Sequence, residues 1–136
     1  MAIDGFILAI DPGRDKCGLA VVGMDRRVLS REIVPPDQLA TCAAGRARQF
    51  PGARIVMGRG TGGREARRAL RAAEIDPIAV PEDGTTLAAR QRYFRDHPPR
   101  GWRRLLPISL QTPPVPVDDY AAVLIAERYL REFREE

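Results

Sequence analysis

Three apolar segments at the start of the chain are joined by connections too short to cross over a sheet. The predicted strands cover residues 6–10, 17–23 and 28–34, and two prolines end the third strand. Parallel neighbours need a crossover of a dozen or more residues, so these strands must pair antiparallel as a meander. The meander constrains the fold most, because every later element must attach to its sheet.

Downstream of the meander, helix and strand patterns alternate. Asp37 is predicted to cap a first helix that runs to Phe50. The further predicted elements are a strand at 54–58, a helix at 62–74, a strand at 76–81, a helix at 86–96, at most a short strand at 105–110, and a last helix at 118–133. Strands that alternate with helices pair in parallel through crossovers. We therefore expect an α/β fold with a mixed five-stranded sheet, three antiparallel strands followed by two parallel βα units, flanked by helices.

Length and composition predict one domain over residues 1–136. A hydrophobic content of 44% is ordinary for a soluble globular protein. No apolar run approaches the roughly 20 residues that a membrane helix needs, and the N-terminus lacks a signal-peptide core. We therefore expect a cytoplasmic protein without a membrane partner. Cys17 and Cys42 fit no metal-binding or redox spacing and are predicted to be buried, reduced thiols.

The basic residues favour a polyanionic partner. The formal net charge is +4, and Lys16 is the single lysine among 22 Lys and Arg residues. Arginine forks onto phosphate oxygens, which favours nucleic acid, although a small domain also carries such a charge for solubility. A stripe on one predicted helix face consists of Arg64, Arg67, Arg68 and Arg71. Such a stripe either lies in solvent or contacts phosphates.

A second basic cluster lies at residues 100–104. Arg103 is predicted to contact nucleic acid there, with Trp102 stacking on an unpaired base. The alternative is that Trp102 covers the core. His97 is the only histidine. One interpretation is a role in proton transfer, and the alternative is that this lone histidine has no catalytic role.

Three acidic residues from distant parts of the chain are predicted to meet at one edge of the sheet. Asp11 ends the first strand, Glu82 follows the last parallel strand, and Asp118 begins the final helix. Ligands of open α/β sheets gather at the carboxyl ends of the strands. Clustered carboxylates repel unless a hard cation neutralises them, which favours Mg²⁺ or Mn²⁺ and phosphodiester hydrolysis. Each acid also has a simpler interpretation. Asp11 is a common turn residue, Glu82 is a loop residue, and either Asp118 or Asp119 is a helix cap.

A glycine pattern offers a competing interpretation. Gly58, Gly60 and Gly63 satisfy G-x-G-x-x-G between a strand and a helix, and Glu82 follows at about the distance of a dinucleotide-binding acid. Such a fingerprint normally opens a βαβαβ half, whereas here it follows a meander with one clear strand left. We favour a loop whose backbone amides meet a phosphate.

The segments around the three acids resemble the YqgF/RuvX family. The similar segments are residues 10–21 (IDPGRDKCGLAV), 82–86 (EDGTT) and 117–125 (VDDYAAVLI). The order of the elements and the chain length also agree, so the resemblance covers nearly the whole chain. These are small RNase H-like proteins described as Holliday junction resolvases and as nucleases that mature the 5′ end of pre-16S rRNA. The resemblance implies an RNase H-like fold and places the family's metal-binding carboxylates on Asp11, Glu82 and Asp118. The opening Ile-Asp-Pro-Gly also resembles RuvC resolvases, for which this chain is short.

The chain departs from the family pattern at two places. After the first glycine the family commonly has Thr-Lys-Arg, and this chain has Arg14, Asp15 and Lys16. After the second acid the family usually has arginine, and this chain has Asp83. Asp83 removes a phosphate contact and adds a negative charge beside the predicted metal site.

Two functions follow from the sequence. The first is a nuclease that hydrolyses phosphodiesters of structured RNA or branched DNA with Mg²⁺ or Mn²⁺. Its predicted nucleic-acid contacts are Lys16, Arg64, Arg68 and Arg103. The alternative is a nucleic-acid-binding module of the same fold that cuts weakly or not at all. A homodimer is compatible with either function.

Overall fold

The computed structural model describes residues 5–59, 63–81, 85–97 and 118–133. The described strands are β1 (Phe6–Asp11), β2 (Cys17–Gly23), β3 (Val28–Val34), β4 (Arg54–Gly58) and β5 (Ile78–Val80). They form a mixed sheet in the order β3-β2-β1-β4-β5. The pairs β1–β2 and β2–β3 are antiparallel, and the pairs β1–β4 and β4–β5 are parallel. The predicted architecture of three antiparallel strands followed by two parallel strands is confirmed.

Tight turns connect the meander, as its short connections require. The β2–β3 turn closes through a bond from the Gly23 amide to the Arg27 carbonyl oxygen, at 2.8 Å. Arg26 takes a left-handed conformation there, with φ of 72°. Asp25 supports the turn because its Oδ1 accepts a hydrogen bond from the Arg27 amide, at 3.0 Å.

The described helices are α1 (Leu39–Gln49), α2 (Gly63–Ala72), α3 (Thr85–Asp96) and α4 (Asp118–Phe133). Asp37 does not cap α1, contrary to the prediction, because it lies inside a 3₁₀ turn over Pro36–Gln38. Pro36 has the φ that a helical first turn needs, so the tighter turn begins before α1 does. Helix α2 ends before residue 74, since Glu74 has a left-handed φ of 64°.

Strand β5 is shorter than the predicted strand at 76–81. The Pro77 carbonyl oxygen accepts a hydrogen bond from Arg67 Nη1 of α2, at 3.0 Å. This carbonyl is therefore bound to the helix instead of to a neighbouring strand. Pro81 lacks an amide hydrogen and cannot extend the ladder at the other end.

The sheet has two packed faces. One face is covered by α4, whose Ala122, Ile125 and Ala126 pack with a set of buried strand residues that includes Ile7, Ala9, Val22, Val56 and Val80. The opposite face is covered by α1 and α2 and includes Leu8, Ile10, Leu19 and Met57. Side chains alternate along a strand, so Asp11 follows Ile7 and Ala9 on the α4 face. The fold therefore places the first predicted ligand on the side where α4 lies.

Helix α1 is tied to the edge strand β3. Arg46 Nε lies 2.7 Å from Glu32 Oε2, and this hydrogen bond raises the pKa of the Arg46 guanidinium. On the other face, α3 packs against α4 through an aromatic cluster that includes Tyr93, Phe94 and Tyr120.

Two of the simpler sequence predictions can be compared with the structure. Cys17 is buried as predicted, Cys42 is only half-buried, and neither forms a disulfide within the part of the chain that the structure describes. Among the helices that the structure describes, none combines the length and apolar character needed to cross a membrane.

Candidate functional site

Asp11 lies at the carboxyl end of the central strand. Its backbone opposes Gly18 of β2, and the preceding residue, Ile10, opposes Met57 of β4. The side chain is half-buried. The following turn is tight, because a Cβ at Gly13 would lie 2.3 Å from the Lys16 carbonyl oxygen. Gly13 thus allows a close backbone approach that any other residue would block.

Helix α4 crosses the sheet from the start of β4 to the edge strand β3. Near the C-terminal end of α4, the Tyr129 hydroxyl accepts a hydrogen bond from Arg54 Nη1, at 2.8 Å. Arg54 opposes Ile7, at the start of β1. The helix from Tyr129 back to Asp118 rises about 16 Å, and β1 from Ile7 to Asp11 rises about 13 Å. The helix is therefore long enough to span the sheet from the level of Ile7 to that of Asp11.

Asp119, the neighbour of Asp118, is held by the edge strand. Its Oδ2 lies 3.3 Å from Arg31 Nε of β3, and its side chain is 16% exposed. The Arg31 guanidinium also lies 4.2 Å from the centre of the Tyr120 ring. The Tyr120 hydroxyl donates to Asp96 Oδ2 of α3, at 3.3 Å. The Asp119 carboxylate therefore has a charged partner on the edge strand.

The ion pair between Arg31 and Asp119 should be measurable by a double-mutant cycle. With Arg31→Ala, Asp119→Asn and the double variant, we expect a coupling energy of about 0.2–1 kcal/mol in urea unfolding, as for partly exposed pairs. The coupling should shrink at 1 M salt because the pair is screened. A coupling that is zero at low salt, or insensitive to salt, would contradict this role for Arg31.

Two of the predicted site residues lie outside the described residues. These are Glu82, predicted as a metal ligand, and Arg103, predicted as a nucleic-acid contact. Among the side chains that the structure describes, no group of three or more His, Cys, Asp or Glu could hold a metal ion. Asp11 is the one predicted ligand whose side chain is among them, since only the backbone of Asp118 is described.

The arginine stripe on α2 is divided in two. Arg67 and Arg71 both contact Asp76 Oδ1, at 3.3 and 3.6 Å, so half of the stripe is neutralised by an acid that helical spacing does not reveal. Arg64 and Arg68 are exposed and make no ion pair with any side chain that the structure describes. Lys16 is also exposed, in the turn that follows Asp11.

Comparisons with known proteins identify the fold. No protein-family model matches the sequence, and no curated protein is detectably similar to it. Among solved structures, Thermus thermophilus RuvC in complex with a Holliday junction substrate superposes with a TM-score of 0.58 at 17% identity, covering 96% of this chain and 97% of that chain. A second Thermus thermophilus RuvC structure gives 0.53 at 16% identity, covering 94% and 96%. The fold is that of RuvC, an RNase H-like fold.

The RuvC-like fold confirms the predicted fold class and leaves the assignment of individual site residues as a prediction. The pairing of Arg31 with Asp119 was not predicted. Arg31 is exposed on an edge strand, so its position in the sequence does not indicate that it has a partner.

Proposed function

We propose that this protein is a nuclease that hydrolyses nucleic-acid phosphodiester bonds with the help of Mg²⁺ or Mn²⁺. The observation that carries the proposal is the position of Asp11, at the carboxyl end of the central strand of a RuvC-like sheet and on the face covered by α4. Helix α4 begins with Asp118 and packs across the same face. Asp11, Glu82 and Asp118 are the proposed ligands.

The donors suit a hard divalent cation. Carboxylate oxygens are the ligands that Mg²⁺ and Mn²⁺ prefer, and neither thiols nor imidazoles are in the proposed set. Such a cation supplies charge neutralisation at the phosphate and a more acidic water. The chain's own contribution would be to hold two of the three carboxylates on regular elements, Asp11 on a central strand and Asp118 on a helix packed across the sheet.

The exposed basic residues would position the substrate. Lys16 lies in the turn that follows Asp11, and Arg64 lies in the first turn of α2. Arg68 is one helical turn further along, on the same stripe. We propose that these three bind phosphates on either side of the cut, with Arg103 as a further contact. Removing one such contact should weaken binding of all sequences alike.

The substrate class follows from two similarities. One solved structure of similar fold is a RuvC in complex with a Holliday junction substrate. The motifs around Asp11, Glu82 and Asp118 resemble the YqgF/RuvX family, which implies pre-16S rRNA processing or junction resolution. We therefore propose structured RNA or branched DNA as the substrate, and a pair of identical chains would suit two symmetric cuts in a junction.

The proposal is tested with purified protein, a synthetic four-way DNA junction and a precursor rRNA fragment. We expect cleavage of at least one substrate with Mn²⁺ and none with EDTA. Binding of both substrates without cleavage under any metal would indicate the alternative function, a nucleic-acid-binding module in which Asp83 impairs the site. Absence of both binding and cleavage would contradict both functions.

A further inference from the structure

A cavity of about 350 Å³ lies where β4 ends and α2 begins. It is lined by Met57, Gly58, Arg59, Gly63, Arg64 and Arg67. The lining is more apolar than polar, with Met57 only 3% exposed, and its three arginines give the cavity a positive charge. A cavity of this size and composition suits a small planar group that carries a negative charge.

The cavity adjoins the proposed catalytic strand end. Met57 lies directly opposite Ile10, so Gly58 is level with Asp11 on the neighbouring strand, at a strand spacing of about 4.8 Å. The first residue of α2 also lies close to the turn that follows Asp11, since a Cβ added at Gly63 would be 3.9 Å from Pro12 Cγ. Asp11 is on the α4 face of the sheet and the cavity is on the α2 face. A nucleic-acid strand that crosses this edge of the sheet would meet both.

The three arginines of the cavity differ in the contacts they make. Arg67 is committed to the fold, because its Nη1 lies 3.0 Å from the Pro77 carbonyl oxygen and 3.3 Å from Asp76 Oδ1. Its fixed side chain forms one wall of the cavity. Arg59 and Arg64 are exposed, and neither makes an ion pair with the described part of the chain. These two guanidinium groups therefore remain available for an anion.

We propose that this cavity binds one nucleotide of the substrate strand, next to the bond that is cut. The base packs against Met57, Gly58 and the arginine stems, and the phosphate is bound by Arg59 and Arg64. This inference rests on the proposed nuclease function and adds a subsite to it. A base-sized apolar wall beside two available arginines distinguishes the cavity from a surface that contacts phosphates alone, because every base presents a face that can stack.

The test compares a short labelled oligothymidylate with the same oligomer built from abasic sugar-phosphate, in EDTA so that no cleavage occurs. Both probes carry the same phosphates, so a difference in affinity reports the base. We expect the wild-type protein to bind oligothymidylate about tenfold more tightly than the abasic probe. In Arg59→Ala and Arg64→Ala, affinity for oligothymidylate should fall about three- to tenfold and most of the preference for bases should disappear.

Arg48→Ala is the matched control, because Arg48 is exposed on α1 and does not line the cavity. It removes the same charge and should keep the preference for bases. Equal affinity of the wild-type protein for both probes would overturn the proposal, as would Arg59 and Arg64 variants that behave like Arg48→Ala. The proposed nuclease function fails separately, by a lack of Mn²⁺-dependent cleavage of junction and precursor RNA, whatever the outcome with these probes.

Discussion

The Asp11→Asn variant should cut its substrate at least about a thousandfold more slowly than the wild-type protein, and it should keep its fold. Asparagine has the shape of aspartate but lacks the charge that binds a hard cation. Loss of the metal removes several kcal/mol of transition-state stabilisation. Each 1.36 kcal/mol lost slows the reaction by about a factor of ten. The rate is measured by single-turnover cleavage with saturating enzyme and Mn²⁺.

Thermal unfolding of the same variant separates catalysis from folding. Because asparagine keeps the shape of aspartate, Asp11→Asn should still unfold cooperatively in EDTA, at a temperature within about 5 °C of that of the wild-type protein. Mn²⁺ should raise the unfolding temperature of the wild-type protein, since it binds the folded state, and the variant should lose most of this increase.

Asp15→Asn is the control, because Asp15 is exposed in the same turn and outside the proposed ligand set. It should cut and respond to Mn²⁺ like the wild-type protein. Preserved Mn²⁺-dependent cleavage in Asp11→Asn would remove Asp11 from the site.

The second large effect is expected from the neighbouring acids of α4. Asp118→Asn should lose cleavage as Asp11→Asn does, whereas Asp119→Asn should lower the rate no more than about tenfold, as expected for a supporting residue. Asp119 is engaged by Arg31, at 3.3 Å, and its Oδ1 accepts a hydrogen bond from the Tyr120 amide, at 2.9 Å. Asparagine can still accept the hydrogen bond from the Tyr120 amide, but it lacks the charge that pairs with Arg31. We therefore expect the first turn of α4 to persist.

Single-turnover rates of the two variants, measured on one substrate, decide between the adjacent acids. Each variant makes the same chemical change one residue apart, so each serves as the control of the other. The reverse order, with Asp119→Asn inactive and Asp118→Asn active, would show that Asp119 is the ligand and that the ion pair with Arg31 is broken when metal binds.

The sheet could be predicted from the sequence because its determinants are local. The connection between Gly23 and Val28 is too short for a crossover, so an antiparallel hairpin was the one available solution. The position of Asp11 at a strand end follows from the turn residues after it. The later alternation of strands and helices indicated the parallel pairs of β1, β4 and β5 in the same way.

The contacts that organise the site surface could not be predicted, because they join residues distant in sequence. Arg31 meets Asp119 across the α4 face of the sheet. Helical spacing placed Arg67 in a uniform basic stripe. In the structure Asp76 and the Pro77 carbonyl oxygen bind Arg67, whereas Arg64 is exposed. Spacing along one element reports which residues share a face and says nothing about what another element brings to that face.

The most direct test of the account is an anomalous difference map from crystals soaked with Mn²⁺. The proposed three-acid site predicts a peak at the carboxyl end of β1, with oxygens of Asp11, Glu82 and Asp118 within about 2.3 Å of it. A map in which the oxygens of these three residues lie too far apart to share an ion, with no peak between them, would contradict it.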